Sequence, residues 1–332
     1  MTENFNVVIP SITTDFRLIR CLNGLQKIKY KKFFVTLILE NNLNINKLRK
    51  FKLKINILVN KNKINMSAKR NIAVNKFKSK YVAFIDSDAY PDIEWLNNGL
   101  KLFKKGFVVF GGPNIPFNNQ SYLQKISYFC KRSFFVTAHY NFVKYKSFDT
   151  YCDWLDSSNF MIKRSFYKSI NGMEERLYIG EDHDFFYRLK NKYKRLKIFF
   201  SKDVFVYHED REVHLYCLQR FVYGLNVFSA NNTLEKRLIA LIPAFTILLI
   251  TLGFFIFNSK EYLNFLLISF FVINILIFFN ISKYIEKIND KLFTILAIYT
   301  VNLFYGIGSL LTIFGFRKLL EKKIYRNIKN EK

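Results

Sequence analysis

Three long uncharged runs, Leu238 to Ser259, Tyr262 to Ser282 and Leu292 to Phe316, constrain the fold of this chain more than any other feature. Each reaches the roughly 20 residues that a helix needs to cross a bilayer. A core helix of a water-soluble domain is seldom apolar all round, so three in succession point to a transmembrane region over 237–316 with two to three helices. Pro243 is tolerated in such a helix, and only Lys260 and Glu261 part the first two runs, which predicts a tight hairpin. A basic tail, 317–332, follows with Arg317, Lys318, Lys322, Lys323, Arg326, Lys329 and Lys332. The positive-inside rule sends that tail to the cytosol, whereas three crossings from a cytosolic start leave it outside. The third run, which contains Asn302, Gly306, Gly308 and Gly315, is therefore expected to be re-entrant or to lie partly in the interface.

The charge agrees with a membrane partner. Lys and Arg number 52 against 25 Asp and Glu, a net charge of +27, which implies phosphates or an acidic lipid surface as partners. With 38 Phe and 20 Tyr as well, membrane lipids are the more economical reading, and nucleic acid is disfavoured. Cys21, Cys130, Cys152 and Cys217 form no paired spacing, so a reducing compartment suits them. Near the start, Glu3 and the short run Phe5 to Ile9, broken by Pro10, lack the basic start and long apolar core of a signal peptide. The expected location is a cell's inner or plasma membrane, multi-pass, with the segment before residue 230 cytosolic.

That segment alternates short apolar strands with helical patterns, the signature of an α/β fold with a mostly parallel sheet and helices on both faces. Strands are expected at Asn6–Ile9, Phe33–Leu39, Ile55–Val59, Tyr81–Ile85, Phe107–Phe110, Lys197–Phe200 and Val204–Tyr207, with an ordered stretch at Trp154–Ile162. Helices are expected at Asp15–Leu25, Ala68–Phe77, Pro91–Phe103, near Phe166–Ile170 and at Asp182–Tyr193. In the third of these Ile93, Leu96, Leu100 and Phe103 fall on one face. Residues 116–150 read as a mixed segment of helices and loops.

Asp86-Ser87-Asp88 ends the strand Tyr81–Ile85, at the edge where α/β sheets bind ligands. Two carboxylates there can hold Mn²⁺ or Mg²⁺ with a phosphate completing its oxygen shell. A polar turn leading into a helix at Pro91, Asp92 and Glu94 accounts for them equally. Gly180-Glu181-Asp182-His183-Asp184 opens another helix. One acid suffices for capping, and crowding of three raises the proton affinity of one, as a general base requires. His208 follows a strand directly and would complete an oxygen-rich metal site if the fold returned it to Asp88; His139 and His214 have no comparable context. Arg70 lies near a helix start able to bind phosphate, or on a solvated basic end. Glu40, followed by Asn41 and Asn42, ends the second strand, as a ligand for a base or ribose or as a loop acid.

In this order, Val7-Val8-Ile9-Pro10, Ile38-Leu39-Glu40-Asn41-Asn42, Ala68-Lys69-Arg70-Asn71 and Asp86-Ser87-Asp88-Ala89-Tyr90-Pro91 lead to Gly111-Gly112-Pro113. Asn159-Phe160-Met161-Ile162-Lys163-Arg164, Asn171-Gly172-Met173-Glu174-Glu175, Gly180-Glu181-Asp182 and Val206-Tyr207-His208 follow. The set resembles an inverting glycosyltransferase of family 2, built on the GT-A nucleotide-sugar fold, over residues 5 to about 226. The resemblance implies a nucleotide-sugar-binding half at 1–115 and an acceptor and catalytic half at 116–236. It also implies Asp88 as direct metal ligand, Asp86 on the ribose or the metal's water shell, and His208 as a further metal ligand. Asp182 would be the catalytic base, and Pro10, Glu40, Arg70 and Glu181 would join Asp86 in binding the nucleotide-sugar. Glu40 stands where Asp is usual, and Asn65-Met66 where a glycine is.

The processive synthases of this family carry Q-x-x-R-W, whereas this chain reads Cys217-Leu218-Gln219-Arg220-Phe221. The implied activity is thus transfer of a single sugar from a nucleotide-sugar donor to a lipid-linked or cell-envelope glycan acceptor by a membrane-anchored enzyme. A processive polysaccharide synthase, and a non-catalytic basic membrane protein that binds nucleotides or nucleic acid, are the alternatives.

Overall fold

The computed structural model describes residues 5–41, 44–62, 64–138, 148–228, 234–257, 259–317 and 320. Asn42, His139, part of the mixed segment and the tail cations beyond Arg317 lie outside the described residues. The chain opens with β1 (Phe5–Pro10), α1 (Phe16–Lys27), β2 (Phe33–Leu39) and β3 (Ile55–Val59). Next come α2 (Met66–Lys76), β4 (Tyr81–Ile85), β5 (Ala89–Pro91), α3 (Trp95–Lys104), β6 (Val109–Gly111) and β7 (Asn114–Pro116). Helices α4 (Tyr122–Arg132) and α5 (Phe134–Thr137) precede β8 (Thr150–Cys152), β9 (Asn159–Lys163), α6 (Arg164–Ser169) and α7 (Glu181–Lys192). After β10 (Ile198–Phe200) and β11 (Val206–His208) the elements among the described residues are helices: α8 (Val213–Leu225), α9 (Leu234–Phe257), α10 (Lys260–Ser282) and α11 (Ile288–Ile313).

Two compact units result, one of Met1–Phe117 with Phe142–Glu209, the other of Asn118–Asn141 with Asp210–Lys332. The first unit holds an eight-stranded sheet in the order β3-β2-β1-β4-β9-β6-β10-β8. β3, β2, β1 and β4 run parallel, as does β10 with β6, while β9 is antiparallel to both its neighbours and β8 is antiparallel to β10. The sheet is thus mixed where a mostly parallel one was expected, because β9 returns between β4 and β6. Both faces are covered, which is why β1, β2 and β4 are apolar at nearly every position. Phe5, Val7, Ile9, Leu37 and Ala83 pack with Leu18 and Leu22 of α1 and Leu96 of α3. On the other face Phe84 meets Phe160 and Tyr167, and buried Asn6 donates to the Ala73 carbonyl of α2.

A smaller sheet, β5-β11-β7, moves the boundary of α3. Ala89–Pro91 pair antiparallel with Val206–His208, so the helix expected from Pro91 starts only at Trp95. Ile93 falls outside it and is exposed, and the buried stripe is Trp95, Leu96, Leu102 and Phe103. The strands expected at Phe107–Phe110 and Val204–Tyr207 are likewise displaced, to Val109–Gly111 and Val206–His208.

Among the described residues the elements of the second unit are all helices. α4 opens with a reciprocal cap between Ser121 and Gln124, and Ser259 caps α10 through Tyr262 N, which leaves α9 and α10 as a tight hairpin. α10 and α11 are long and apolar enough to cross a membrane by length and composition, and α9 contributes a shorter apolar stretch, Leu241–Ile256. The third uncharged run is one continuous helix, without the break a re-entrant segment needs. Gly306 and Gly308 serve packing: a Cβ on Gly306 would come 2.5 Å from Ile247 Cδ1 and one on Gly308 2.2 Å from the Phe221 carbonyl oxygen, and one on Gly224 of α8 would come 2.1 Å from that of Tyr305. The backbones of α8 and α11 therefore touch, as small residues permit.

Candidate active site

The register of the small sheet creates the site. His208 pairs with Ala89, which sets its Nε2 3.3 Å from Oδ1 of Asp88. The turn that presents the acids is closed by Ala89 N donating to the Asp86 carbonyl at 3.1 Å, and Glu209 N donates to the Asp88 carbonyl at 3.1 Å. Asp86, Asp88 and His208 each offer one ligand atom, all within 4.8 Å of one another. Two carboxylate oxygens and an imidazole nitrogen fit Mn²⁺, and fit Mg²⁺ through the carboxylates. Asp88 is only 6% exposed, and a buried carboxylate is costly unless charge compensates it, so a cation suits this donor set. Cys21 of α1 lies close behind: burial, and then the charges of Asp88 and Asp86, push its thiol up.

Arg70 ties the acidic turn to the second acid cluster. Its Nη2 donates to Asp86 Oδ1 at 2.7 Å and its Nη1 to Glu181 Oε1 at 3.4 Å. Ser157 Oγ also donates to Glu181, at 3.3 Å. The Arg70 side chain is 2% exposed and grips two carboxylates. Asn65 caps the start of α2 through Ala68 N, and Ser67 to Asn71 are buried.

The three acids at the start of α7 also part company. Glu181 turns to Arg70, whereas Asp184 is buried and takes Arg188 Nε at 2.7 Å. Arg188 in turn donates to the carbonyls of Ile170 and Gly172, which makes Asp184 a fastener of the Asn171-Gly172 turn. Asp182, half-buried, accepts from His183 N at 2.9 Å, and the His183 ring lies against Trp154 at 3.9 Å between centroids. Mutual crowding thus gives way to separate partners, leaving Asp182 beside the Arg70-Glu181 link.

Glu40 and the Ser11 carbonyl, next to Pro10, converge on Lys69. Lys69 is fully buried, and its Nζ donates to the Ser11 carbonyl at 2.7 Å and to Glu40 Oε1 at 2.8 Å. Pro10 ends β1 in register with Ile38, and Ser11 N donates to the Ile38 carbonyl. Lys69 sits in the quoted Ala68-Lys69-Arg70-Asn71 segment, where two adjacent cations opposite acids at two strand ends were the available signal. Asn71 and Asn159 also join separate elements around the site. Asn71 holds Tyr167 and Met173, and Asn159 bridges Trp95 to the Gly112 and Val204 carbonyls. Of the remaining histidines, His214 is exposed beside Glu212.

Comparison with known proteins bears on the fold and the family. Residues 7–170 match the family model described as Glycosyl transferase family 2. Over 126 residues the chain is 27% identical to the amylovoran biosynthesis glycosyltransferase AmsB of Erwinia amylovora. That alignment covers 34% of this chain and 42% of the relative, so the chain spans less than half the length of the curated relative it matches. Among solved structures, GalNAc-T7 with UDP, GalNAc and Mn²⁺ superposes with a TM-score of 0.50 at 14% identity, covering 64% of this chain and 44% of that one. TarS 1–349 of S. aureus in complex with UDP-GlcNAc gives a TM-score of 0.49 at 13% identity, covering 98% and 90%. The first unit has a GT-A-like fold, and residues 7–170 are matched by the model of glycosyl transferase family 2.

Proposed function

We propose that the chain is a membrane-attached, metal-dependent inverting glycosyltransferase. It moves a single sugar from a nucleotide-sugar donor to a lipid-linked or envelope glycan acceptor. The observation that carries this reading is the convergence of Asp86, Asp88 and His208, linked through Arg70 to Glu181 at the start of α7.

In this reading Asp88, Asp86 and His208 hold Mn²⁺ or Mg²⁺, and Glu40, Pro10, Arg70 and Glu181 shape the donor pocket with Asp86. Lys69 and Arg70 act by orienting Glu40, Asp86 and Glu181, since both cations are buried. When bound, the divalent cation supplies charge stabilisation for the departing diphosphate. Asp182 accepts the proton of the acceptor hydroxyl, whose oxygen attacks the anomeric carbon as the bond to phosphate breaks, inverting that centre. The role of AmsB in amylovoran biosynthesis supports a glycan acceptor, and the long apolar helices support placement at a membrane. Phe221 in place of the tryptophan of Q-x-x-R-W supports single transfer.

Donor turnover by the purified full chain with Mn²⁺ or Mg²⁺ tests the assignment. Asp88→Ala and Asp182→Asn should abolish it, and full activity in either removes the role given to that residue.

A further inference from the structure

α11 passes the length and hydropathy test for a membrane span, yet its contacts place it differently. The hairpin of α9 and α10 supplies the ruler. Tyr262 donates its hydroxyl to the Leu249 carbonyl at 2.8 Å, and its ring meets Phe254 at 5.8 Å. Counting back along the two antiparallel helices from there puts Pro243 of α9 level with the neighbourhood of Asn274 of α10.

α11 touches both of these positions. Asn274 Nδ2 donates to the Tyr299 hydroxyl at 3.0 Å, and a Cβ on Gly306 would lie 3.0 Å from the Pro243 carbonyl carbon and 2.5 Å from Ile247 Cδ1. From Tyr299 to Gly306 a helix advances about 10.5 Å, close to the 8–10 Å spacing of packed helices. Lys291 lies over the Phe278 ring at 4.9 Å and Tyr299 stacks on Phe270 at 6.0 Å, so α11 descends obliquely along α10 and then passes to α9 at nearly one level between Tyr299 and Gly306. A third span running alongside the hairpin would instead bring the residues after Gly306 toward the Ser259 turn.

The level itself is informative. Pro243 lies roughly 22 Å from the hairpin turn at 1.5 Å per residue, within a hydrocarbon core about 30 Å thick. That leaves α11 about 8 Å inside the opposite boundary, the depth of an interfacial helix. Its two faces agree. Leu292, Phe293, Leu296, Leu303, Ile307 and Ile313 are exposed, an apolar stripe at helical spacing. The other face meets helices that carry charge: Asp290 takes Lys125 of α4 at 3.0 Å, and Thr312 donates to the Leu225 carbonyl of α8 at 2.8 Å. Within the same unit Lys131 pairs with Asp210 at 2.5 Å, and Arg220 of α8 stacks over Tyr305 of α11 at 4.3 Å. Such groups belong at the headgroup level, since charge in the bilayer centre is expensive.

We infer that α11 is an interfacial helix whose exposed apolar stripe lies in the lipid surface. The chain crosses the bilayer twice, in α9 and α10, and the residues before α9 and after α11 share one side. This accounts for the cations from Arg317 onward, which the positive-inside rule assigns to the side that carries the catalytic unit. The inference rests on the membrane reading above, and the experiment separates the two.

In intact cells expressing the full chain, a membrane-impermeant maleimide should label Ser259→Cys, and should label Lys323→Cys only after permeabilisation. Labelling of both from outside shows three crossings and overturns the placement of α11. Failure of Ser259→Cys to label overturns the hairpin crossing, and release of the protein by alkaline carbonate overturns membrane attachment itself. In reconstituted vesicles, fluorophores on Leu303→Cys and Ile313→Cys should be quenched by brominated lipids to within about twofold of one another at one shallow depth. A graded depth from 303 to 313 contradicts the interfacial placement.

Discussion

His208 Nε2 lies 3.3 Å from Asp88 Oδ1, two side chains brought together by three residues of antiparallel pairing between β5 and β11. The proposed metal site thus depends on a small sheet as well as on the acidic turn. His208→Ala should leave the fold intact and weaken Mn²⁺ binding by about tenfold or more, by analogy with the loss of groups that support a metal site. Titration of metal-dependent activity checks this, and an unchanged Mn²⁺ requirement removes His208 from the site.

Arg70 grips Asp86 and Glu181 from a buried position. Removing one partner of a buried pair strands the other charge, at a cost of about 3–5 kcal/mol. Arg70→Met should therefore lower the unfolding free energy by about 3 kcal/mol and abolish turnover together. Arg70→Lys should rescue little, because an ammonium cannot span two carboxylates as a planar fork does. Denaturant unfolding with parallel activity assays reads both effects.

Asp182→Asn should behave differently, with a loss of about 10²–10⁴ in kcat, unchanged thermal stability and unchanged donor binding. A variant that loses donor binding instead places Asp182 in the donor pocket.

Glu174 carries the pH prediction. A bidentate ion pair with Arg176 lowers its carboxyl from 4.5 to about 2. A depressed folded value means stabilisation that is present above pH 4.5 and is lost as pH falls through about 2. Arg176 is 88% exposed, so solvent screening keeps the contribution under about 1 kcal/mol. Glu174→Gln should cost less than that at pH 7 and nothing measurable at pH 2, by denaturant unfolding of wild type and variant.

Gly224 of α8 faces the Tyr305 carbonyl so closely that any side chain forces the helices apart. Gly224→Leu should destabilise the helical unit by about 1–3 kcal/mol or more, seen as increased proteolysis after Asp210, and wild-type resistance in the variant would contradict the close approach.

The strands of the first unit were legible because burial on both faces leaves apolar runs with few alternatives, as in Tyr81–Ile85 and Phe33–Leu39. β5 was not, since a three-residue strand has no period to detect and Pro91 reads as a helix start, and β11 was legible only with its bounds displaced from Val204–Tyr207 to Val206–His208. The acids and His208 were visible as residue types at element ends. Their partners were not: nothing local distinguishes buried Lys69 from a solvated lysine, and only the fold shows that Asp184 turns to Arg188 and Glu181 to Arg70. In the helical unit, composition marked Leu292–Phe316 as apolar but not which face of it meets α4 and α8.

The most direct test of the account is release of nucleoside diphosphate from a panel of nucleotide sugars by the purified full chain, with Mn²⁺ and with EDTA. The expected result is metal-dependent release from at least one donor, lost in Asp88→Ala and Asp182→Asn. Equal release by wild type and both variants, or release that EDTA leaves untouched, would contradict it.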